Sequence, residues 1–216
     1  MKEGLIKDRN ELYGPYVVKN LQKRQFDAYY VETKEEALEK AIELIPKDHV
    51  VGWGGSYTIK EIGLVDRLYA DGYKVMDREK AGDNFDAWAE TMKRILVDAN
   101  TFITSANAVT EAGELLNVDG NGNRLAAYCY GPESVVVIVG MNKIVRDVKD
   151  AVFRIQTVAA PINGRRFPDL NTPCKHTGRC AECTAPDCMC CQWLVTRMSN
   201  PKGRIKVIVC GEKLGF

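Results

Sequence analysis

Apolar residues recur along the chain with two different spacings, and these spacings predict most of the helices and strands. A spacing of three and four residues predicts helices at 33–45 and 84–97. Short apolar runs predict buried strands, and the strongest of them is Ser134–Gly140. Further strands are predicted at 26–32, 49–52, 73–77, 101–107 and 204–210, and further helices at 15–23, from 58 onward and at 144–159. Because strands and helices alternate, we expect an α/β fold, mainly a parallel sheet flanked by helices.

The ends of several elements are marked by residues typical of caps, turns and breaks. Thr33 with Glu36, and Thr58 with Glu61, have the spacing of a capping box, which predicts a helix start at each threonine. Prolines are expected in the first turn of one helix and at the end of another: Pro15 and Pro161. The glycine-rich sequence DGNGNR at 119–124 separates apolar segments at 115–118 and 125–130. We expect these two segments to form an antiparallel hairpin extension of the sheet.

Length and charge narrow the class of protein. The 216 residues contain 45% hydrophobic residues and carry 30 Lys and Arg against 29 Asp and Glu, a net charge of +1. This balance argues against a disordered chain and against a basic nucleic-acid-binding protein. No apolar run approaches the roughly 18–20 residues of a membrane span, and the first residues lack the apolar core of a signal peptide. We therefore expect one cytoplasmic domain spanning 1–216.

Cysteine is unevenly distributed, since six of the eight cysteines lie between residues 174 and 191. They belong to an irregular insertion before the last strand, at 171–195, which we call the Cys-rich segment. In a reducing cytosol such a cluster favours a metal or redox site over disulfides. Four cysteines are candidate ligands for zinc or an iron–sulfur cluster: Cys174, Cys180, Cys183 and Cys190. Alternates are Cys188, Cys191 and His176; the other interpretation is a set of reduced thiols without metal.

A glycine-rich strand end is the first candidate for ligand binding. In the sequence GWGGSYT, a strand gives way to a helix at Gly54 and Gly55, which let a ligand approach the backbone closely. Ser56 and Thr58 add hydroxyl groups near the positive end of the helix dipole, where phosphate or carboxylate binds well. The alternative is a tight turn in which Thr58 only caps the helix.

Two other strand ends carry polar residues that we expect at the same edge of the sheet. Glu111 is a candidate general base or nucleophile, and Arg124 could hold an anion. Lys143 follows the strongest strand and would meet the glycine-rich turn. The remaining candidates from these segments are Ser105, Asn107, Thr110, Asn117, Asp119, Asn121, Asn123 and Asn142. The alternative is ordinary turn composition around 119–123 and a solvated lysine at a helix start.

Four segments together resemble the lactate-utilisation (LUD) domain family over nearly the whole chain. They are VGWGGSYTIKEIGL, TSANAVTEAGELLNVDGNGNRLAAYCYGP, VVVIVGMNKIVRDVKDA and RIKVIVCGEKLGF. The spacing of Cys174, Cys180, Cys183 and Cys190 is similar to the C-x5-C-x2-C-x6-C pattern of one subgroup, with Cys188 as an addition inside the pattern. Cys191 directly after it is a second addition.

The resemblance implies a NagB/RpiA/CoA-transferase-like fold, in which the glycine-rich strand end binds phosphate, sugar or CoA-type ligands. It also implies a role in oxidising L-lactate to pyruvate together with iron–sulfur subunits. A CoA-transferase of this superfamily uses a glutamate nucleophile, and Glu111 is the nearest candidate in this chain.

Two functional hypotheses follow. In the first, the chain is an enzyme or enzyme subunit whose pocket gathers 54–58, 107–111, 121–124 and 142–143 around a small anionic metabolite, with Glu111 and Lys143 as catalytic residues. In the second, it is a non-catalytic metal-binding, redox or regulatory subunit whose Cys-rich segment holds zinc or an iron–sulfur cluster. In either case we expect a homo-oligomer that binds neither nucleic acid nor membrane.

Overall fold

A computed structural model describes residues 2–216 and is built around a six-stranded, entirely parallel sheet. Its strands are β1 (Asp27–Val31), β2 (Val50–Trp53), β3 (Lys74–Met76), β4 (Thr101–Thr104), β7 (Ser134–Gly140) and β10 (Ile205–Cys210). They lie in the order β1–β10–β7–β4–β2–β3. All seven residues of β7 are buried, because β10 and β4 pair with its two edges. The predicted parallel α/β sheet is confirmed.

Helices cover both faces of this sheet, as predicted. The helices are α1 (Lys2–Lys23), α2 (Lys34–Glu43), α3 (Tyr57–Glu61), α4 (Leu64–Ala70), α5 (Phe85–Asp98), α6 (Asn123–Cys129), α7 (Val148–Arg154), α8 (Ala160–Gly164) and α9 (Pro173–Thr177). Val135, Val137 and Val139 pack with residues of α1, α5 and α6. Val136 and Ile138 pack with residues of α2, α3 and α4 on the opposite face. Successive side chains of β7 point to opposite faces of the sheet, and they therefore contribute to the core on both faces.

A second, four-stranded sheet provides the antiparallel extension. It consists of β5 (Ala108–Thr110), β6 (Leu115–Asp119), β8 (Ile144–Val145) and β9 (Gln192–Thr196), in the order β8–β5–β6–β9. β6 is antiparallel to both β5 and β9, whereas β8 is parallel to β5. An antiparallel extension is present, but the predicted partner of β6 is wrong.

The segment 125–130, predicted as that partner, belongs mainly to α6. Leu125 and Tyr128 are three residues apart and both buried, which is a helical spacing. The Asp119 carboxylate accepts hydrogen bonds from the backbone N–H groups of Arg124 (2.9 Å) and Leu125 (3.1 Å), and so satisfies two free donors at the helix start. The DGNGNR turn thus leads into a helix rather than back along the sheet.

Several predicted helix boundaries are also wrong. α1 begins well before Pro15, which lies inside it; residues 4–9 are exposed, so no apolar spacing marks this half of the helix. The N-cap residue of α3 is Ser56, and the Thr58 hydroxyl bonds to a lysine instead of capping the helix. The predicted helix 144–159 starts only at Val148, because 144–145 form β8 and the Asp147 side chain caps α7.

Pro161 does not end a helix, contrary to prediction. A π-helical turn at Ile155–Ala159 joins α7 to α8, and Pro161 lies in the first turn of α8, where a missing N–H is tolerated. Beyond α8, the Cys-rich segment contains α9 and otherwise lacks helix until β9 begins. Within residues 2–216, no helix is both long and apolar enough to cross a membrane.

Candidate anion-binding site

A cavity of about 670 Å³ lies where β2, β4 and β7 end, and we call it the strand-end cavity. All four segments predicted to converge contribute to its wall, although 107–111 and 142–143 contribute only one residue each, Asn107 and Lys143. The candidates from these and neighbouring segments that line it are Gly55, Ser56, Thr58, Ser105, Asn107, Asp119, Asn121, Asn123, Arg124 and Lys143. Gly54 lies just behind this wall, since a Cβ placed there would be 3.7 Å from the Asn123 amide nitrogen.

Four further candidates lie outside the lining of the cavity: Asn117, whose Oδ1 accepts a hydrogen bond from Arg124, and Thr110, Glu111 and Asn142. Thr110 is buried in the hairpin, where its hydroxyl accepts a hydrogen bond from the Glu114 N–H at 3.0 Å. The Glu111 carboxylate accepts a short hydrogen bond from the Tyr13 hydroxyl on α1. The pKa of Tyr13 is raised, first by burial and then by this carboxylate. The Asn142 side chain accepts a hydrogen bond from the Leu214 N–H at 3.0 Å and donates one to the Gly215 carbonyl at 3.2 Å.

Lys143 is the most unusual charged group of the cavity, because its side chain is only 3% exposed. Its Nζ lies 3.0 Å from Thr58 Oγ1 and 2.9 Å from Ser105 Oγ. Among the described residues, no carboxylate oxygen lies within 4 Å of this nitrogen. Burial, together with the guanidinium groups of Arg154 and Arg124, lowers the pKa of Lys143 to about 7.

Arg124 organises the wall and has no free donor within the part of the chain that is described. Its Nε bonds to Asp119 at 3.0 Å, and its two Nη atoms bond to Ser105 O, Asn117 Oδ1, Asn107 Oδ1 and Val118 O at 2.7–2.9 Å. All five N–H groups of the guanidinium are thereby engaged. Arg124 can therefore attract an anion by its charge and hold the surrounding residues in place. The direct hydrogen bonds to an anion that the sequence predicted would require some of these bonds to break.

Two arginines that the sequence analysis missed add positive charge. Arg78 follows β3, and its Nη2 would be only 2.5 Å from a Cβ at Gly55, so glycine is needed for this close approach. The buried Arg78 Nε has no hydrogen-bond partner among the described residues. Arg166 lies after α8, with its guanidinium 5.9 Å from each of the Tyr57 and Phe216 rings. Burial lowers the pKa of both arginines.

The polar groups of the cavity favour an anion. Arg78, Lys143 and Arg166 have no ion-pair partner among the described side chains, whereas the lining carboxylates are more fully engaged. Asp119 pairs with Arg124 at 2.9 Å, Glu79 pairs with Lys60 at 2.7 Å, and Asp187 accepts a backbone hydrogen bond. Ser56 lines the cavity and is only 7% exposed. Its buried hydroxyl has no hydrogen-bond partner in the described structure. Such unpartnered buried groups are costly unless a ligand or water satisfies them.

A second cavity of about 500 Å³, the cysteine cavity, lies next to the first. It is lined by Cys174, Cys180, Cys183, Cys188 and Cys190, together with apolar residues that include Ile155 and Trp193. Burial raises the pKa of Cys190 to about 12, with neighbouring thiols adding to the effect. Cys188 and Cys190 line both cavities.

The predicted metal ligands share this wall without forming a ready-made site. No three Cys, His, Asp or Glu side chains within the described range are arranged to hold a metal ion. Of the alternates, Cys188 lines the cavity, Cys191 is exposed, and His176 bonds to the Asn171 side chain at 2.9 Å. Metal binding by the Cys-rich segment stays a prediction.

Several solved structures are similar to this chain, and the first of those described here supports the fold. A DUF162 family protein from Deinococcus radiodurans aligns over 93% of this chain and 98% of its own, with 16% identity and a TM-score of 0.53. Ribose 5-phosphate isomerase from Plasmodium falciparum aligns over 52% of each chain, with 15% identity and a TM-score of 0.34. The tetrameric eIF2B-beta2-delta2 complex from C. thermophilum aligns over 95% of this chain and 58% of its own, with 15% identity and a TM-score of 0.39.

Sequence comparison is more specific about the family. No curated protein matches the chain. The sequence profile of the LUD domain, however, matches residues 15–210, which include both sheets, the lining of the cysteine cavity and that of the strand-end cavity except Phe216. This agrees with the resemblance in the four segments quoted above, and the chain therefore belongs to the LUD domain family.

Proposed function

We propose that this chain binds a small anionic metabolite in the strand-end cavity and that this binding serves the oxidation of L-lactate to pyruvate. Membership of the LUD domain family supports a function related to lactate utilisation. The cavity supports the anionic ligand, because Arg78 and Arg166 line it without a carboxylate partner among the described residues, whereas its Asp119 and Glu79 carboxylates are already paired. Its volume of about 670 Å³ exceeds what a three-carbon acid needs, so larger carboxylates and phosphate esters also fit.

One observation carries this proposal: Arg78, which is partly buried, and Arg166, which is exposed, face one cavity beside the buried Lys143 amine, and neither arginine has an ion-pair partner among the described side chains. Isolated buried charge is unfavourable, and a bound carboxylate or phosphate would supply the missing counter-charge. Arg78 and Arg166 can each offer planar donors to such an anion, and the Ser56 hydroxyl can add one neutral hydrogen bond. The chain as a whole has a net charge of only +1, so attraction must come from these local groups.

Thermal unfolding with L-lactate, pyruvate, CoA and ribose 5-phosphate tests the proposal. A ligand at one hundred times its Kd stabilises the folded state by about 2.7 kcal/mol, which corresponds to about 5–11 °C for a chain of this size. We expect at least one of these anions to raise Tm in the unmodified chain. The Arg78→Gln and Arg166→Gln variants should lose most of the shift.

Arg94→Gln is the matched control, since Arg94 is an exposed arginine on α5 paired with Asp98. It should retain the full shift. The proposal fails if none of the four anions raises Tm, or if the cavity variants respond as strongly as Arg94→Gln does.

A second candidate function rests on the cysteine cavity. We propose that the Cys-rich segment holds zinc or an iron–sulfur cluster, with Cys174, Cys180, Cys183 and Cys190 as ligands. Five thiols on one cavity wall are a suitable donor set for either, because both prefer soft sulfur ligands. Since the thiols are not arranged as a finished site, binding would require the segment to rearrange around the metal.

Elemental analysis and a visible spectrum of protein purified without oxygen test this second function. An iron–sulfur cluster absorbs visible light and zinc does not. Cys183→Ser should lower the metal content, whereas Cys129→Ser, at an exposed cysteine on α6, should not. Metal-free protein whose cysteines all react with an alkylating agent would contradict it.

Assembly and partners complete the proposal. We infer that the chain is a cytoplasmic homo-oligomer that works beside iron–sulfur subunits of lactate oxidation, as the family resemblance implies. Sedimentation of the purified chain measures its oligomeric state, and a single-chain mass would contradict the first part.

A further inference from the structure

The surroundings of the Lys143 amine favour its neutral form, which can react as a nucleophile, over the charged form, which can only attract an anion. Its Nζ is reached by two hydroxyl groups, Ser105 Oγ and Thr58 Oγ1. Ser105 donates its own proton to the Ala106 carbonyl at 3.3 Å, so it can accept a hydrogen bond from the lysine. Nζ also donates a hydrogen bond to Thr58 Oγ1, and this oxygen has no other partner in the described structure. Both partners are uncharged hydroxyl groups, so neither supplies the negative charge that would compensate a buried ammonium ion, and this favours the neutral amine.

The charged surroundings favour the same neutral form. Arg154 on α7 and Arg124 on α6 disfavour a further positive charge, whereas Glu61 on α3 favours it more weakly. Glu61 Oε2 accepts a hydrogen bond from the Gly215 N–H at 2.6 Å, so it is already engaged. With a pKa of about 7, Lys143 is about three-quarters neutral at pH 7.5, whereas an ordinary lysine is about 0.1% neutral.

We propose that the Lys143 amine condenses with the carbonyl group of a 2-oxo acid whose carboxylate is held by the cations of the strand-end cavity. The inference rests on the proposed function and deepens it, because it identifies the ligand class as anions that also carry a ketone or aldehyde. A buried, uncharged lysine in a pocket is the arrangement that makes an amine nucleophilic at neutral pH.

The step balances without any further reactant. The Nζ lone pair forms a bond to the carbonyl carbon, and the carbonyl electron pair moves to oxygen, which takes a proton from Nζ. Loss of that oxygen as water then leaves a carbon–nitrogen double bond between lysine and the acid. The hydroxyls of Thr58 and Ser105 lie within hydrogen-bond distance of Nζ and can pass protons during both halves.

Reductive trapping with pyruvate tests the inference. The chain is incubated with pyruvate and sodium cyanoborohydride, which reduces the carbon–nitrogen double bond to a stable secondary amine. Mass spectrometry of the intact chain and of its peptides then locates the adduct, so the unmodified chain alone identifies the residue. We expect one adduct on Lys143, formed at least about tenfold faster than on any other lysine because of its larger neutral fraction.

Two variants serve as comparison. Lys143→Gln should lose the fast adduct. Lys206→Gln should keep it, because Lys206 is a half-buried lysine on β10 that bonds to Ser134 Oγ at 3.0 Å outside the cavity lining. Labelling spread evenly over many lysines would overturn the inference.

Thermal unfolding of the same samples without reductant separates this inference from the proposed function. If pyruvate raises Tm but leaves no adduct on Lys143, the imine is overturned and anion binding stands. If no anion in the set raises Tm, anion binding itself fails, and the absence of a Lys143 adduct overturns the imine as well.

Discussion

Replacing Lys143 by methionine should change how stability depends on pH. The pKa of Lys143 falls from its ordinary value of 10.5 to about 7 in the fold, a difference of about 3.5 pH units. Since each unit corresponds to about 1.4 kcal/mol, burial of the ammonium costs about 4–5 kcal/mol below pH 7. Between pH 7 and 10.5 the unfolded chain still binds the proton that the folded chain has lost, so stability rises with pH in this window.

The size of the effect follows from the same two values. Between pH 6 and pH 9 the cost of burying Lys143 should fall by about 2.5 kcal/mol, because the folded form is neutral at the upper limit. Lys143→Met removes this titration while keeping a side chain of similar length. The free energy of unfolding of the unmodified chain, minus that of Lys143→Met, should therefore increase by about 2.5 kcal/mol over this range.

Urea unfolding of both proteins at pH 6, 7, 8 and 9 measures this difference. With an m-value of about 2–3 kcal/mol per M, the relative midpoint should move by about 1 M. Hydrogen bonds lost at Thr58 and Ser105 add an offset that is independent of pH, and other titrating groups cancel in the subtraction. Lys206→Met is the control, for which a smaller slope is expected. A difference that stays constant within about 0.5 kcal/mol for Lys143→Met would refute a perturbed Lys143.

Three other substitutions test how the site is supported, each by urea unfolding at pH 7. Arg124→Met should lower stability by about 3–5 kcal/mol, because it leaves Asp119 without its partner in a buried position; a loss below 1 kcal/mol would contradict this. Gly140→Ala should also destabilise the chain strongly, since the new Cβ would lie 2.3 Å from the Leu214 backbone nitrogen, and an unchanged midpoint would show that this contact relaxes freely. Asp147→Ala should cost about 1 kcal/mol through the lost cap of α7, whereas Asp147→Asn should cost less.

The central sheet was predictable because its strands are nearly continuous apolar runs. Val135 to Val139 are buried on both faces, and no other element type gives so short and so uniformly apolar a segment. The position of Lys143 followed from the same pattern, since the ends of neighbouring parallel strands meet at one edge. Helix α6 was missed because glycine-rich turns precede helices and strands alike.

The wall of the cavity was predicted only in part, for physical reasons. Arg78 follows a strand of three residues, which leaves little periodic signal before it. Arg166 was missed because Pro161 was expected to end the helix before it. Instead, the π-helical turn at Ile155–Ala159 leads into α8, and Arg166 follows directly after that helix. Glu111 was expected in the cavity, yet it faces Tyr13 on α1, and the exposed first half of that helix carries no apolar pattern.

The position of β10 in the sheet has a consequence for how the chain folds. β1 pairs with β10 alone, and the pair Asp27 and Lys206 is separated by 206 − 27 = 179 residues. Until residues 205–210 have been synthesised, β1 has no strand beside it, although α1 can already pack on it. Contacts between such distant segments are slow to form, because a long loop must close first. We therefore expect released chains that stop before residue 205 to be digested readily by protease at β1, and the 216-residue chain to be protected there.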